Sequence, residues 1–146
     1  MTGGTRQIRM VDRPDPDVVV RLGDEISAFN FGVTGVHDGR EFYAAVHDEQ
    51  DDLVAGVYGW TWGGTGWIER LWVRESDRGR GLGTRLLAAV ESEARHRGCT
   101  QLALSTHSFQ APGFYRRHGF AIAGEVAEYP AGHSYLLLRR PLPVSA

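Results

Sequence analysis

The chain has 146 residues, 18 of them acidic and 16 basic, with a formal net charge of −2, and this length predicts one domain over residues 1–146. Every basic residue is arginine, which excludes enzymes that form a lysine Schiff base and phosphate-binding loops of the Walker type. The near-neutral balance argues against sequence-independent binding of nucleic acid, and the single cysteine, Cys99, excludes an internal disulfide.

The first third of the chain predicts one strand and one helix. Residues 6–12 alternate between apolar and polar side chains, which is typical of a short strand, and Pro14 and Pro16 end it. Residues 17–29 carry apolar side chains at helical spacing, and residues 32–39 indicate a loop. The chain ends, residues 1–5 and 141–146, are expected to be loose.

Charge is distributed unevenly along the sequence. Residues 12–52 hold eleven acids and three arginines, a net charge of −8, whereas residues 53–146 have a net charge of +4. Five of the arginines lie between positions 70 and 85. One interpretation of this pattern is that the arginine-rich window binds an anion and the acidic segment binds a cation. The other is that both segments are ordinary solvent-exposed surface.

Three further strands are predicted before the middle of the chain. Residues 41–47 and 53–62 predict two strands joined by an acidic turn, and the glycine-rich stretch 62–67 predicts a hairpin turn. In the next strand, residues 67–73, alternation places positions 67, 69, 71 and 73 on one face. Glu69 is the acid on this otherwise apolar face, an unusual position for a carboxylate.

The second half alternates helices and strands. Leu82, Leu86, Val90 and Ala94 recur every four residues and predict an amphipathic helix that ends at Gly98. A strand over 100–106, a short helix capped by Ser108, and strands over 120–129 and 134–140 follow. The order is therefore βα, three strands, then αβαββ, which predicts an α/β (α+β) fold with a mixed sheet.

A glycine-rich turn precedes the amphipathic helix. Its residues are Arg78, Gly79, Arg80, Gly81, Leu82, Gly83 and Thr84. Glycines let the backbone approach a ligand closely, and the free N–H groups at a helix start form an anion cradle. The spacing of the glycines and their position in mid-chain do not fit a dinucleotide-binding fingerprint. Two interpretations of this turn are possible at this point: it binds an anion, or its glycines only allow a tight loop.

Two motifs together resemble the Gcn5-related N-acetyltransferase (GNAT) superfamily, and in particular its small bacterial members. Arg78, Gly81 and Gly83 match its R/Q-x-x-G-x-G segment. Tyr115, Gly119 and Phe120 match its Y-x-x-x-G-F pattern, which begins 32 residues after Gly83. The resemblance implies a mixed, mostly antiparallel sheet of six to seven strands, splayed between the fourth and fifth strands and flanked by helices. Here those two strands are residues 67–73 and 100–106.

The resemblance also implies acetyl-CoA as cofactor and CoA as product. The pyrophosphate would lie on the backbone of the glycine-rich turn, with Arg78, Arg80 and Arg85 adding positive charge. The pantetheine arm would lie in the splay, against the backbone of Leu71, Trp72 and Val73. Ser108 stands where the family often has an asparagine that contacts the cofactor.

Catalytic roles follow from the same resemblance. Tyr115 occupies the position of the family's general acid, which protonates the departing thiolate. Glu69 is the expected general base and substrate contact, and His107 is the alternative base. His107 and His133 are the further candidates for substrate binding.

The implied reaction is direct attack by a primary amine on the acetyl group in a ternary complex. The amine belongs to a small molecule, a peptide or a protein, and the acidic segment 12–52 favours a cationic one. Nucleic acid and membrane are not expected as partners, whereas a homodimer agrees with many relatives. The alternative function is a non-catalytic or regulatory acyl-CoA-binding module of the same fold.

Location and metal content are also predicted. No stretch approaches the ~18 consecutive apolar residues of a membrane span. The N-terminal residues lack the apolar core of a signal peptide, so we expect a cytoplasmic protein. The histidines lack the spacing of metal ligands, so we expect no metal.

Overall fold

The computed structural model describes residues 3–143, which divide after Val36 into two compact units. The first unit contains helix α1, Pro16–Thr34. Asp15 caps the helix by accepting the N–H of Asp17 at 2.9 Å, and Gly35 ends it in a left-handed conformation. The helix predicted over residues 17–29 is therefore confirmed and extends further, to Thr34.

The strand predicted over residues 6–12 is wrong, because this segment has no regular secondary structure. Ile8 and Met10 are 93% and 90% exposed, so the alternation buries no apolar face. A lone extended segment also lacks the partner strand that satisfies its backbone groups. Alternation over so few residues therefore predicted a strand that packing does not support.

The second unit contains a six-stranded sheet in the order β1-β2-β3-β4-β6-β5. Neighbouring strands run antiparallel except β3 and β4, which are parallel. The strands are β1 Arg40–His47, β2 Leu53–Trp62, β3 Thr65–Val73, β4 Gln101–His107, β5 Ala121–Ala127 and β6 Ser134–Pro141. The helices are α2 Leu82–His96 and α3 Pro112–Arg117, and a 3₁₀ turn, Glu75–Asp77, follows β3. Six strands agree with the predicted mixed, mostly antiparallel sheet of the GNAT fold.

The core of the second unit lies between one face of the sheet and the helices. Helix α2 contributes Leu86, Val90 and Ala94, which have the four-residue spacing predicted for its apolar face, and Leu87 beside them. In β4, Leu102, Leu104 and Thr106 are buried, so Ser105 and His107 belong to the opposite face of the sheet. Burial of these aliphatic side chains fixes the strand that leads to the site.

Strand β3 contains a β-bulge at Glu69. Tyr58 of β2 pairs with Arg70 and the next residue, Gly59, pairs with Ile68, which leaves Glu69 without an opposite residue. The bulge shifts the alternation, so that Leu71 and Val73 pack against the same core that buries Ile68. The prediction that positions 67, 69, 71 and 73 share one face is therefore wrong.

Strands β3 and β4 separate along their length. They pair at four positions, from Thr65 opposite Gln101 to Ile68 opposite Leu104. Both strands continue beyond those pairs, to Val73 and His107. This is the splay predicted between the fourth and fifth strands, which are β3 and β4 because residues 6–12 form no strand.

The chain end differs from the prediction of a loose segment over 141–146. Pro141 belongs to β6, and Leu142 is 2% exposed, with its N–H donating to the carbonyl of Thr100 at 2.7 Å.

Residues 1, 2 and 144–146 lie outside the described residues. The single-domain organisation stays a prediction. Among residues 3–143, no helix combines the length and apolarity needed to cross a membrane.

Candidate active site

The glycine-rich turn connects the 3₁₀ turn to α2 in a conformation that glycine adopts without strain. Gly79 and Gly81 have φ angles of +76° and +80°, and a Cβ added to either would meet no atom within 4 Å. Gly81 is the N-cap of α2 and supplies no side-chain hydrogen bond to the helix start. The first N–H groups of α2 therefore lack a side-chain acceptor and can receive an anion.

An arginine holds the 3₁₀ turn in place. The Arg74 Nε donates to Asp77 Oδ2 at 2.6 Å, and an Nη of Arg74 donates to Asp48 Oδ2 at 3.3 Å. Asp48 belongs to the turn between β1 and β2, where its Oδ1 also accepts the N–H of Gln50 and of Asp52. Hydrogen bonding from Arg74 keeps the pKa of the Asp77 carboxyl below its usual value. These bonds fix the start of the glycine-rich turn relative to the sheet.

The two sequence motifs contact each other. The ring of Phe114 on α3 lies so close to Gly83 that a Cβ there would be 3.3 Å from the Phe114 Cζ. Thr84 Oγ1 and His118 Nε2, at the C-cap of α3, are hydrogen-bonded at 3.1 Å. The start of α2 and the short helix α3 therefore pack directly against each other. The sequence assigned no role to His118, because this contact joins residues 34 positions apart.

A cavity of about 700 Å³ lies at the open end of the splay. Its walls are the end of β3, the glycine-rich turn, the loop after β4 and helix α3. The lining residues are Leu71, Trp72, Val73, Asp77, Arg78, Gly79, Gly81, Leu82, Gly83, Thr84, Phe109, Gln110, Ala111, Phe114, Tyr115 and Arg117. Most of the residues expected to bind the cofactor therefore lie around one cavity.

Tyr115 is buried between the cavity and the core, at 8% exposure. Its ring packs edge-on against Phe114 and Phe120, with centroids 5.1 and 5.7 Å away. Burial raises the pKa of the phenol above its usual value of 10.0, because the phenolate would lose hydration. Burial therefore favours the neutral phenol, and the Tyr115 side chain borders the cavity.

Several residues predicted for the site lie outside the cavity lining. Arg80 is exposed on the glycine-rich turn, whereas Arg78 lines the cavity and turns its Nε back to the carbonyl of Val73 at 2.9 Å. Ser108 is not the cap of α3, because the N-cap is Ala111 and the Ser108 hydroxyl accepts the N–H of Ser134 at 2.9 Å.

The residues expected to handle the acceptor occupy two other places. The exposed Glu69 lies at the bulge, where its Oε2 accepts the Trp67 Nε1–H at 2.7 Å. His107 is the last residue of β4 and His133 lies in the turn between β5 and β6, and the ring of Phe109 contacts both of them. Phe109 and Gln110 line the cavity and were missed, since the loop after β4 has no regular pattern. Among residues 3–143, no group of three His, Cys, Asp or Glu side chains is arranged to hold a metal.

Comparison with known proteins matches this arrangement to one family. The model of the acetyltransferase (GNAT) family matches residues 7–120. Blasticidin-S acetyltransferase from Streptomyces morookaense is 41% identical over 96 residues, covering 62% of this chain and 68% of that protein. An acetyltransferase from Agrobacterium fabrum is 30% identical over 129 residues, covering 88% of this chain and 94% of its own.

A solved structure extends the similarity to the whole fold. The crystal structure of an acetyltransferase from Agrobacterium tumefaciens superimposes with a TM-score of 0.86 at 28% identity, covering 94% of this chain and 100% of that one. Three observations agree on the family: the extent of the family match, the shared fold, and the position of both motifs at one cavity. The chain belongs to the GNAT family and is an N-acetyltransferase.

Proposed function

We propose that this protein transfers an acetyl group from acetyl-CoA to a primary amine of a small molecule, by direct attack in a ternary complex. The observation that carries the proposal is the cavity that joins the glycine-rich turn, the splay and Tyr115. The relative named for blasticidin-S supports a small-molecule acceptor over a protein or peptide amine.

The residues of the turn fit the phosphates of acetyl-CoA. Both left-handed glycines leave open space where a side chain would project, and the start of α2 has uncapped N–H groups. The helix dipole adds about half a positive charge there, and Arg78 and Arg80 add full charges. Acetyl-CoA supplies the thioester that the reaction consumes.

The edge of β3 would hold the pantetheine arm. Leu71, Trp72 and Val73 line the cavity, and beyond Ile68 the described part of β3 pairs with β2 but no longer with β4. Backbone groups on that edge can therefore bond to the amides of the arm. Ser108 precedes the cavity-lining Phe109, and its hydroxyl, which accepts one hydrogen bond, can still donate one to the cofactor.

Tyr115 would act as the general acid. Its phenol carries a proton at neutral pH, and the leaving thiolate would take that proton as the carbon–sulfur bond breaks. Position and protonation state thus both suit the role.

Glu69 would act as the general base. The hydrogen bond from Trp67 holds its carboxylate, and the bulge frees this residue from strand pairing. Glu69 directly follows Ile68, where the pairing of β3 with β4 ends. His107 is the alternative base. Its Nδ1 donates to the carbonyl of Tyr129 at 2.9 Å, which leaves Nε2 of the neutral ring able to accept a proton.

Two measurements on the full chain test the proposal. The melting temperature should rise with acetyl-CoA concentration, and free thiol should appear when a panel of primary amines is added. Stabilisation by acetyl-CoA without thiol release by any amine would support the non-catalytic binding module instead. No stabilisation at millimolar acetyl-CoA would contradict both functions.

A further inference from the structure

Five aromatic rings pack together around the end of β4. The ring centroids of His107 and Tyr135 are 4.5 Å apart, and those of His107 and Tyr129 are 5.3 Å apart. Phe109 stacks on His107 at 5.1 Å with an interplanar angle of 16°, and meets His133 edge-on at 5.0 Å. We call His107, Phe109, Tyr129, His133 and Tyr135 the ring cluster.

Hydrogen bonds hold the ring cluster in one arrangement. The His107 Nδ1 donates to the Tyr129 carbonyl, and the His107 N–H donates to Gln110 Oε1 at 2.7 Å. The Tyr129 N–H donates to the His133 carbonyl at 3.1 Å, which closes the turn between β5 and β6. The Tyr135 hydroxyl bonds to the Ser105 hydroxyl. Such a preorganised group of rings loses little entropy when a ligand binds.

The ring cluster adjoins the cavity described above. Phe109 belongs to both, since its side chain lines the cavity and stacks on His107. Phe109 and Tyr129 are 56% and 55% exposed, although apolar rings of this size usually bury most of their surface. The cluster therefore offers aromatic surface next to the place where the acetyl group would be transferred.

The ring cluster itself favours a flat, aromatic group. The nearby carboxylates already accept hydrogen bonds, Glu125 from the Ser134 hydroxyl at 2.5 Å and Glu128 from the Gly132 N–H at 2.9 Å. Aromatic rings attract other rings through stacked and edge-on contacts, which a saturated group of equal size cannot make.

We infer that the ring cluster binds the acceptor and selects amines attached to a planar aromatic ring. This inference rests on the proposed function, because the ring would be held while its amine reaches the acetyl group. The acceptor class is thus an arylalkyl amine, distinguished from an alkyl amine of the same length and bulk.

Two amines of matched size test the selection, 2-phenylethylamine and 2-cyclohexylethylamine. The ratio of their kcat/KM values is measured for the wild type and for Phe109→Leu and Tyr129→Leu, which keep apolar bulk but remove a ring. Each variant should lower the preference for the aromatic amine about threefold to tenfold. Tyr43→Leu is the matched control, since Tyr43 is an 80% exposed ring on β1 outside the cluster, and should leave the ratio unchanged.

An unchanged ratio in both cluster variants would overturn the inference, as would equal use of the two amines by the wild type. Melting temperatures within a few degrees of the wild type establish that the variants fold. If neither amine releases thiol, calorimetric binding of both to the CoA-saturated protein gives the ratio instead. Failure of the proposed function has a separate signature, the absence of thiol release with every amine.

Discussion

Two glycines at opposite ends of α2 give a matched test of the cofactor turn. Gly81 precedes the helix and lines the cavity, with a φ angle of +80°. Gly98 follows the helix, with a φ angle of +78°, and does not line the cavity. A Cβ at either position would meet no atom within 4 Å, so alanine introduces the same backbone strain at both. Gly81→Ala and Gly98→Ala therefore differ chiefly in whether the added methyl group faces the cavity.

The size of the effect follows from this conformation. A left-handed backbone costs an L-residue roughly 1–2 kcal/mol relative to glycine. If the turn keeps its shape in Gly81→Ala, the free energy of unfolding falls by about that amount, and the added methyl group occupies open space proposed for the phosphates, so the affinity for acetyl-CoA falls as well. If the turn relaxes, its N–H groups leave the cradle, and the affinity for acetyl-CoA falls by about 5- to 30-fold.

The assay is calorimetric titration of each variant with acetyl-CoA, beside urea unfolding of the free protein. Both variants should lose stability, whereas the dissociation constant of acetyl-CoA should rise in Gly81→Ala and stay within twofold of wild type in Gly98→Ala. Equal dissociation constants for both variants and the wild type would refute the assignment of this turn to the phosphates. Equal weakening in both would assign the effect to α2 as a whole.

Three further predictions concern stability and the base. The Arg97 side chain is 9% exposed, and its guanidinium donates to the carbonyls of Arg40 and Glu41 and to the Glu93 carboxylate. Arg97→Met should therefore lower the free energy of unfolding, measured in urea, by about 2–3 kcal/mol. A decrease below about 0.5 kcal/mol would contradict this prediction. Asp77 has a pKa below its usual 3.8, so its contribution to stability exists above that value and is lost as the pH falls through its folded pKa. The melting temperatures of wild type and Arg74→Gln should therefore converge progressively as the pH falls below 3.8, and a constant difference would argue against this pairing. Glu69→Gln should lower kcat about 100-fold or more. If kcat falls in His107→Gln and not in Glu69→Gln, His107 is the base.

The sequence predicted the part of the site that depends on local pattern. Gly81 and Gly83 at the start of an amphipathic helix, followed by Tyr115, were predicted to share one site, and all three line the same cavity. The conformation of the glycine-rich turn depends on residues that are close together in the sequence. The family motif predicted how many residues separate this turn from Tyr115.

The remaining parts depend on partners far along the chain. The bulge at Glu69 arises from pairing with β2, and alternation within β3 alone gave the wrong face. His107 owes its hydrogen bond to Tyr129, which is 22 positions away in the turn between β5 and β6. Ser108 had the sequence of a helix cap but bonds instead to Ser134, 26 positions later. Residues 6–12 had the pattern of a strand without the burial that stabilises one.

The decisive measurement is the separation of kcat from acetyl-CoA affinity in Tyr115→Phe. This change removes one buried hydroxyl and keeps the ring that packs on Phe114 and Phe120. If Tyr115 protonates the leaving thiolate, kcat should fall about 100-fold or more, while the dissociation constant of acetyl-CoA stays within twofold. An unchanged kcat, or an equal loss of turnover and affinity, would contradict the role of Tyr115 as the general acid.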